Sequence, residues 1–351
     1  MRRAATACAL AWVTLCLAGC GTEEWDRSSL DAREGSGAVD LVEEPVPFVE
    51  RTSPSQYGVP VADTMGVADL LALMPQGGID REDPNLFVAA GDVPSTDQCQ
   101  SGAAAVLADL PVTIEGVVSL RSAKYLKLPL CGQDERFYGS FVVEDDTGGV
   151  LVLEDSRVAT VEFGDRVRLT VRGLAQFYGD QNQRAVVISD IERISTGDEV
   201  AWTPVESAFG EGDVGRTRRI EGFVVMEPTS SNFNAMVVSN TVPPPVVSTD
   251  GATPVCRENC SGSCRRRCVS DDNMVCDDIF CPAICAGGAT FDASLLPDVC
   301  WAVSVEQELG RRGTSVPLGS RVSVTAPVVA GFGGLQMWIV RLGQLEFLAD
   351  P

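Results

Sequence analysis

Tyr138-Gly-Ser-Phe-Val-Val-Glu-Asp-Asp-Thr-Gly-Gly-Val-Leu-Val-Leu-Glu154 places two apolar, β-branched runs on either side of Asp145-Asp146-Thr147-Gly148-Gly149. The runs, Phe141 to Val143 and Val150 to Leu153, have the composition of strands. A tight reversal between strands needs positive φ, which glycine and aspartate adopt at little cost. The spacing therefore predicts a β-hairpin, and further strands can be counted outward from it.

Upstream, Val112, Ile114, Gly116 and Val118 alternate with Thr113, Glu115, Val117 and Ser119, the period of a first strand. A long loop is expected from Arg121 to Phe137, followed by the hairpin as strands two and three. Residues 155–163 form a short connector. Gly164-Asp-Arg-Val-Arg-Leu-Thr-Val-Arg172 reads as strand four, with Val167, Leu169 and Val171 on one face and Arg166, Arg168, Thr170 and Arg172 on the other. A turn at Gly179 to Asn182 leads to strand five, Arg184 to Ile194.

Five strands, a connector after the third and a Gly-Asp start to the fourth resemble an OB-fold over residues 111–196. The resemblance implies a small closed barrel that binds oligonucleotides or oligosaccharides on strands two and three and their flanking loops. In this chain that loop carries Arg121, Lys124, Tyr125, Lys127 and Arg136, with Phe137 and Tyr138 beside it, so these are the expected ligand-binding residues. Lys124 and Lys127 are the only lysines. Basic groups beside aromatic rings suit phosphate contact and base stacking.

The pattern recurs. Ile114-Glu115-Gly116 returns as Ile220-Glu221-Gly222, and Gly164-Asp-Arg-Val-Arg-Leu-Thr170 as Gly319-Ser-Arg-Val-Ser-Val-Thr325. Phe177-Tyr-Gly179 followed by Ala185-Val-Val-Ile188 returns as Phe332-Gly-Gly334 followed by Met337-Trp-Ile-Val340. From Gly116 to Gly164 is 48 positions and from Gly222 to Gly319 is 97, so the second copy carries an insertion, expected at about 241–300. The fold class is then mainly β: two OB-fold-like five-stranded barrels, the second with a cysteine-rich insertion, after a disordered N-terminal tether.

The insertion contains Cys256, Cys260, Cys264, Cys268, Cys276, Cys281, Cys285 and Cys300. Four cysteines at spacing four would share one face of a helix. With Cys99 and Cys131 they make an even set of ten, which suits disulfides in an oxidising compartment. Zinc is the alternative, although zinc sites often include histidine and this chain has none. Arg257, Arg265, Arg266 and Arg267 form the densest positive run, set either to meet a partner's acidic groups or to serve as a solvated face.

The chain begins with Arg2 and Arg3, an apolar stretch from Ala4 to Leu17, and then Leu17-Ala18-Gly19-Cys20. Such a stretch is short for a membrane span and fits a signal peptide. Leu-Ala-Gly-Cys resembles the lipobox of bacterial lipoproteins. The resemblance implies cleavage after residue 19, lipidation of Cys20, and anchoring in the cell envelope, at the outer membrane in a Gram-negative cell. The expected organisation is residues 1–19 as signal, 20–60 as lipidated cysteine and acidic tether, and 61–110 as a short helical lead-in with helices at 65–74 and 101–110. Barrels follow at 111–196 and 197–351.

Lys+Arg 27 against Asp+Glu 49 gives a net charge of −22, which opposes non-specific binding to nucleic acid. The absence of histidine removes the commonest general base and metal ligand. No catalytic motif is legible, and no cofactor is expected. Glu144, Asp145 and Asp146 form the one candidate for a hard cation such as calcium, although turn chemistry alone explains aspartate before glycine. The preferred functional reading is a non-enzymatic, membrane-anchored lipoprotein presenting two barrels and a disulfide-rich cassette to a protein or glycan partner. The alternative is an extracellular oligonucleotide- or polysaccharide-binding module using residues 121–138.

Overall fold

The alternation of β-branched residues is realised as two barrels. The structure, a computed structural model, describes residues 46–58, 63–74, 86–91, 105–130, 133–153, 161–177, 183–226, 228, 235–240, 299–306, 316–317, 319–331 and 334–349. The elements are β1 (Phe48–Glu50), α1 (Val67–Ala72), β2 (Leu86–Val88), β3 (Ala105–Val106), β4 (Val112–Leu130), β5 (Gln133–Glu144), β6 (Gly149–Leu153), β7 (Arg166–Phe177) and β8 (Gln183–Ser195). They continue with β9 (Val200–Pro204), β10 (Thr217–Met226), β11 (Ala235–Ser239), β12 (Cys300–Val305), β13 (Arg321–Gly331), β14 (Gly334–Ile339) and β15 (Leu345–Phe347).

Both barrels close in the same order. β4, β5 and β6 form an antiparallel meander; β6 runs parallel to β8, β8 pairs antiparallel with β7, and β7 closes on β4. In the second, β10, β11 and β12 are the meander, β12 runs parallel to β14, β14 pairs with β13, and β13 closes on β10. A three-strand meander, a parallel third–fifth pairing and closure of the fourth strand on the first define the OB-fold. The chain contains two in tandem.

The repeated motifs occupy equivalent registers. Ile114 and Gly116 face Leu169 and Val167, while Ile220 and Gly222 face Val324 and Val322. Gly164 and Gly319 open the fourth strands with φ of 77° and 79°, a left-handed conformation that glycine adopts without strain. Each donates its N–H to the first strand, to the Val118 oxygen at 3.0 Å and the Val224 oxygen at 2.8 Å. Gly116 and Gly222 have a different cause. A Cβ there would meet the backbone oxygen of Glu144 at 2.6 Å or of Ser239 at 2.1 Å. Glu144 and Ser239 thus end the second strand of each copy. Residues 145–148 make the following connection in the first barrel and residues 240–299 make it in the second.

Three expectations are corrected. The tether does not run to residue 60: β1 pairs parallel with β9 from Phe48↔Val200 to Glu50↔Trp202, and Tyr57 is buried. The Pro- and Glu-rich composition hid a short edge strand. The 61–110 lead-in is helical at α1, but Ala105–Val106 is a strand paired with Phe87–Val88, so sheet pairing overrides the helix propensity of Ala105. Arg121 to Phe137 is not a loop. β4 and β5 continue as a two-stranded ribbon through Leu126↔Phe137 and Lys127↔Arg136 to Leu130↔Gln133, with register shifts between Val118 and Leu126. Leu126, Leu128 and Leu130 carry the period-two signal, diluted by the intervening lysine and proline.

Inside the first barrel lie Val118, Phe141, Val143, Val150, Val152, Leu169 and Val186, with Val67, Leu70 and Met74 of the α1 region packed against them. Inside the second lie Ile220, Met236, Val238, Trp301, Val303, Val324, Met337 and Ile339. A third apolar cluster joins the barrels. Leu120, Val142, Leu151, Leu153 and Ala185 from the first meet Val329, Trp338 and Val340 from the second. These residues alternate along their strands with the interior ones, so they belong to the outer faces. The outer face of β5 and β6 is therefore covered by β13 and β14.

Candidate functional site

Two places gather the candidate residues: the acidic turn that follows β5, and the surface of β4, β5 and β6 on the first barrel.

The turn gathers the polar groups of the junction. Asp145 Oδ1 accepts hydrogen bonds from the Thr147 N–H, the Thr147 hydroxyl and the Gly148 N–H, each at 2.7 Å. Its Oδ2 accepts the Val67 N–H at 2.8 Å, and Thr147 Oγ1 accepts the Ala68 N–H at 3.0 Å. The N-cap of α1 is Gly66, which has no side chain to offer. The turn thus caps the helix from a distance, satisfying N–H groups that a helix start leaves without partners. Asp146 accepts the Tyr57 N–H at 3.0 Å and pairs with Arg51 at 3.1 Å. The Arg51 guanidinium lies 5.0 Å from the centre of the Tyr57 ring. The Tyr57 oxygen accepts the Ala201 N–H at 2.9 Å, and burial pushes this phenol well above its ordinary range.

Glu144 turns toward the second barrel and is bonded to the Thr217 hydroxyl. Arg216 donates to the backbone oxygens of Asp145 and Asp146 at 3.1 and 3.4 Å. Beside them Gly149 and Gly215 bring two backbones into direct contact: a Cβ on Gly149 would stand 1.8 Å from the Gly215 oxygen. The weak calcium candidate at Glu144, Asp145 and Asp146 is not assembled as a site. The three carboxyls diverge, toward Thr217, the α1 start and Tyr57, and do not converge on a common point. Among the described residues no group of three or more His, Cys, Asp or Glu could hold a metal.

The outer surface of strands two and three, where the resemblance expects a ligand, is apolar and buried. The outward residues of β5 and β6 are Val142, Leu151 and Leu153, all buried in the apolar cluster shared with the second barrel. Arg121 is half-buried in the same seam, donating to the Val340 oxygen at 3.4 Å and lying 4.0 Å from Glu162. The Ala330 N–H donates to Gln183 Oε1 at 2.7 Å, and Arg341 pairs with Glu162 at 3.2 Å, so polar contacts bracket the apolar ones. Lys124, Tyr125 and Lys127 lie on β4 and Arg136 and Tyr138 on β5. Lys127 is opposite Arg136, and Lys124 opposite Ser140. Leu126 and Phe137, opposite one another, pack into the seam.

A signal for this seam exists in the sequence. A strand with one solvated face alternates, whereas a strand buried on both faces reads as a continuous apolar run. Gly149-Val-Leu-Val-Leu153, Val328-Val-Ala330 and Met337-Trp-Ile-Val340 are continuous. Cys20, Cys99, Cys131, Cys256, Cys260, Cys264, Cys268, Cys276, Cys281 and Cys285 lie outside the described residues. Cys300 opens β12 and is buried.

No protein-family description matches the chain, and no curated protein does. Solved structures that resemble it include the second OB-fold domain of replication protein A from Methanococcus maripaludis, at 20% identity over 26% of this chain and 90% of that one, with a TM-score of 0.19. A replication protein A heterotrimer bound to ssDNA aligns at 10% identity over 69% of this chain and 49% of its own, with a TM-score of 0.26. A variant of the single-stranded DNA binding protein from Thermus aquaticus aligns at 12% identity over 68% and 94%, with a TM-score of 0.17. These likenesses carry no argument about ligands. The class of the protein, a tandem OB-fold chain, rests on its own strand order.

Proposed function

We propose that this is a non-enzymatic lipoprotein of the bacterial cell envelope, anchored through Cys20, whose two barrels form one scaffold that presents the cysteine-rich connection 240–299 to a protein partner. The observation that carries the reading is the buried outer face of β5 and β6. The surface on which OB-folds bind ligands serves here as glue between barrels. Interfaces that are large and apolar hold domains fixed, so the pair acts as a platform. What an otherwise short OB connection has gained is the cassette, and its disulfides would fix its shape. The absence of histidine supports a binding role over a catalytic one.

Capture of a partner from envelope extracts tests this reading. The intact chain should retain the partner, and a chain lacking residues 241–298 should lose it while keeping its fold. Retention by both would contradict the reading. Cys20→Ala should move the protein from the membrane fraction to the soluble fraction, read by fractionation and intact mass.

One observation favours a second reading, an oligonucleotide or polysaccharide module. The β4–β5 ribbon places both lysines and Arg136 along one hairpin. Under the preferred reading, labelled single-stranded oligonucleotides show no saturable binding. Binding that falls steeply with salt and vanishes in Lys124→Ala/Lys127→Ala would transfer the proposal to the ribbon.

A further inference from the structure

The junction contains a buried carboxyl that the scaffold does not need for any ion pair. Glu144 ends β5 and is 1% exposed. One of its oxygens is bonded to the hydroxyl of Thr217, the first residue of β10, so the carboxyl lies between the barrels. Its other oxygen, Oε2, makes no well-formed hydrogen bond among the described residues, and the buried Ser119 hydroxyl of β4 is the polar group beside the carboxyl.

The charged groups around it are engaged elsewhere. From the start of the second barrel, Arg216 is spent on the carbonyls of Asp145 and Asp146. From the N-terminal segment, Arg51 pairs with Asp146, and Tyr57 is bonded to Ala201. From the turn itself, Asp145 holds the α1 start. A carboxylate at Glu144 would be a buried charge lacking both an ion pair and a full set of hydrogen bonds, which is strongly unfavourable. The neutral acid avoids that cost.

We propose that Glu144 is an uncharged carboxylic acid in the folded protein and that the junction between the barrels is therefore a pH-sensitive latch, tight in mild acid and loosened as the carboxyl ionises. Burial pushes this carboxyl above its ordinary value of 4.5, opposed by the Thr217 and Ser119 hydroxyls and by Arg216. Below about pH 4.5 both folded and unfolded chains hold this proton, and the group's contribution to stability is fully present. As pH rises, the unfolded chain releases its proton first and gains in population, so stability falls until the folded carboxyl ionises as well. The chain has no histidine, so the side chain that ordinarily titrates between about pH 5 and 8 is missing, and a slope in that window points to a displaced group.

The test is denaturant unfolding of the purified full chain from pH 4 to 8, with infrared detection of protonated carboxyl and small-angle scattering at each pH. The unfolding constant of the unaltered chain should rise by up to about tenfold per pH unit above pH 5. A protonated-carboxyl band should persist at pH values where exposed carboxyls are ionised, and the longest particle dimension should grow as that band disappears. Glu144→Gln should flatten the slope, remove the band and hold the dimension constant. Equal slopes in both chains, or no such band in the unaltered one, would overturn the proposal. Should Glu144→Gln fail to fold, Thr217→Val keeps the carboxyl and removes a hydroxyl that favours its ionised form. The pH window should then move upward, and an unmoved window counts against the latch.

Discussion

Gly149→Ala is expected to destabilise the protein by about 3 kcal/mol, the upper part of the range for overpacking, and to disrupt the junction between the barrels. The new Cβ would stand 1.8 Å from the Gly215 oxygen and 2.4 Å from its carbonyl carbon. Both are backbone atoms, so no rotamer change relieves the clash. Gly215 is itself fixed, with φ of 77° and its N–H donating to the Val328 oxygen at 2.7 Å. Either the start of β6 or the approach to β10 must move. Gly212→Ala is the control, because nothing lies within 4 Å of a Cβ there. It should change stability by no more than about 0.5 kcal/mol, the usual limit for surface changes. Denaturant midpoints of the two variants decide the matter, and equal midpoints would mean that the backbones do not meet.

Trp338→Ala is expected to cost about 3–5 kcal/mol, the range for emptying a buried aromatic site. The indole is 2% exposed and belongs to the cluster that joins the barrels, while its neighbours Met337 and Ile339 point into the second barrel. Removing it opens a cavity beside Val329 and Val340 without touching either interior. The loss should therefore be accompanied by a larger particle dimension in solution, whereas Met337→Ala should destabilise without separating the barrels. A Trp338→Ala chain as stable as the parent would show that the ring is not buried between them.

Much of the barrel architecture is legible in the residues because OB strands alternate and their turns need glycine. Gly164 and Gly319 mark the same left-handed start of a fourth strand, and Ile114 and Ile220 mark the same register. What escapes is whatever depends on partners distant in sequence. Ala105 pairs with Phe87, and Phe48 with Val200, and nothing local announces either contact. The acidic turn illustrates the same limit. Asp145 and Asp146 are turn formers by composition, but their carboxyls are consumed by Val67, 78 positions away, and Tyr57, 89 positions away. Two aspartates that look free to bind a cation are already engaged by backbone N–H groups, the Thr147 hydroxyl and Arg51. The outer surface of β5 and β6 shows the same limit: fold resemblance marks a surface, and only packing reveals that a second barrel lies against it.

That occupation is the central claim, and methyl-labelled nuclear magnetic resonance tests it most directly. Nuclear Overhauser contacts are expected between the Trp338 ring and methyl groups from the set Leu120, Val142, Leu151 and Leu153 of the first barrel. A Trp338 ring with no contact to any of these methyls, in a chain whose two barrels are both folded, would contradict it.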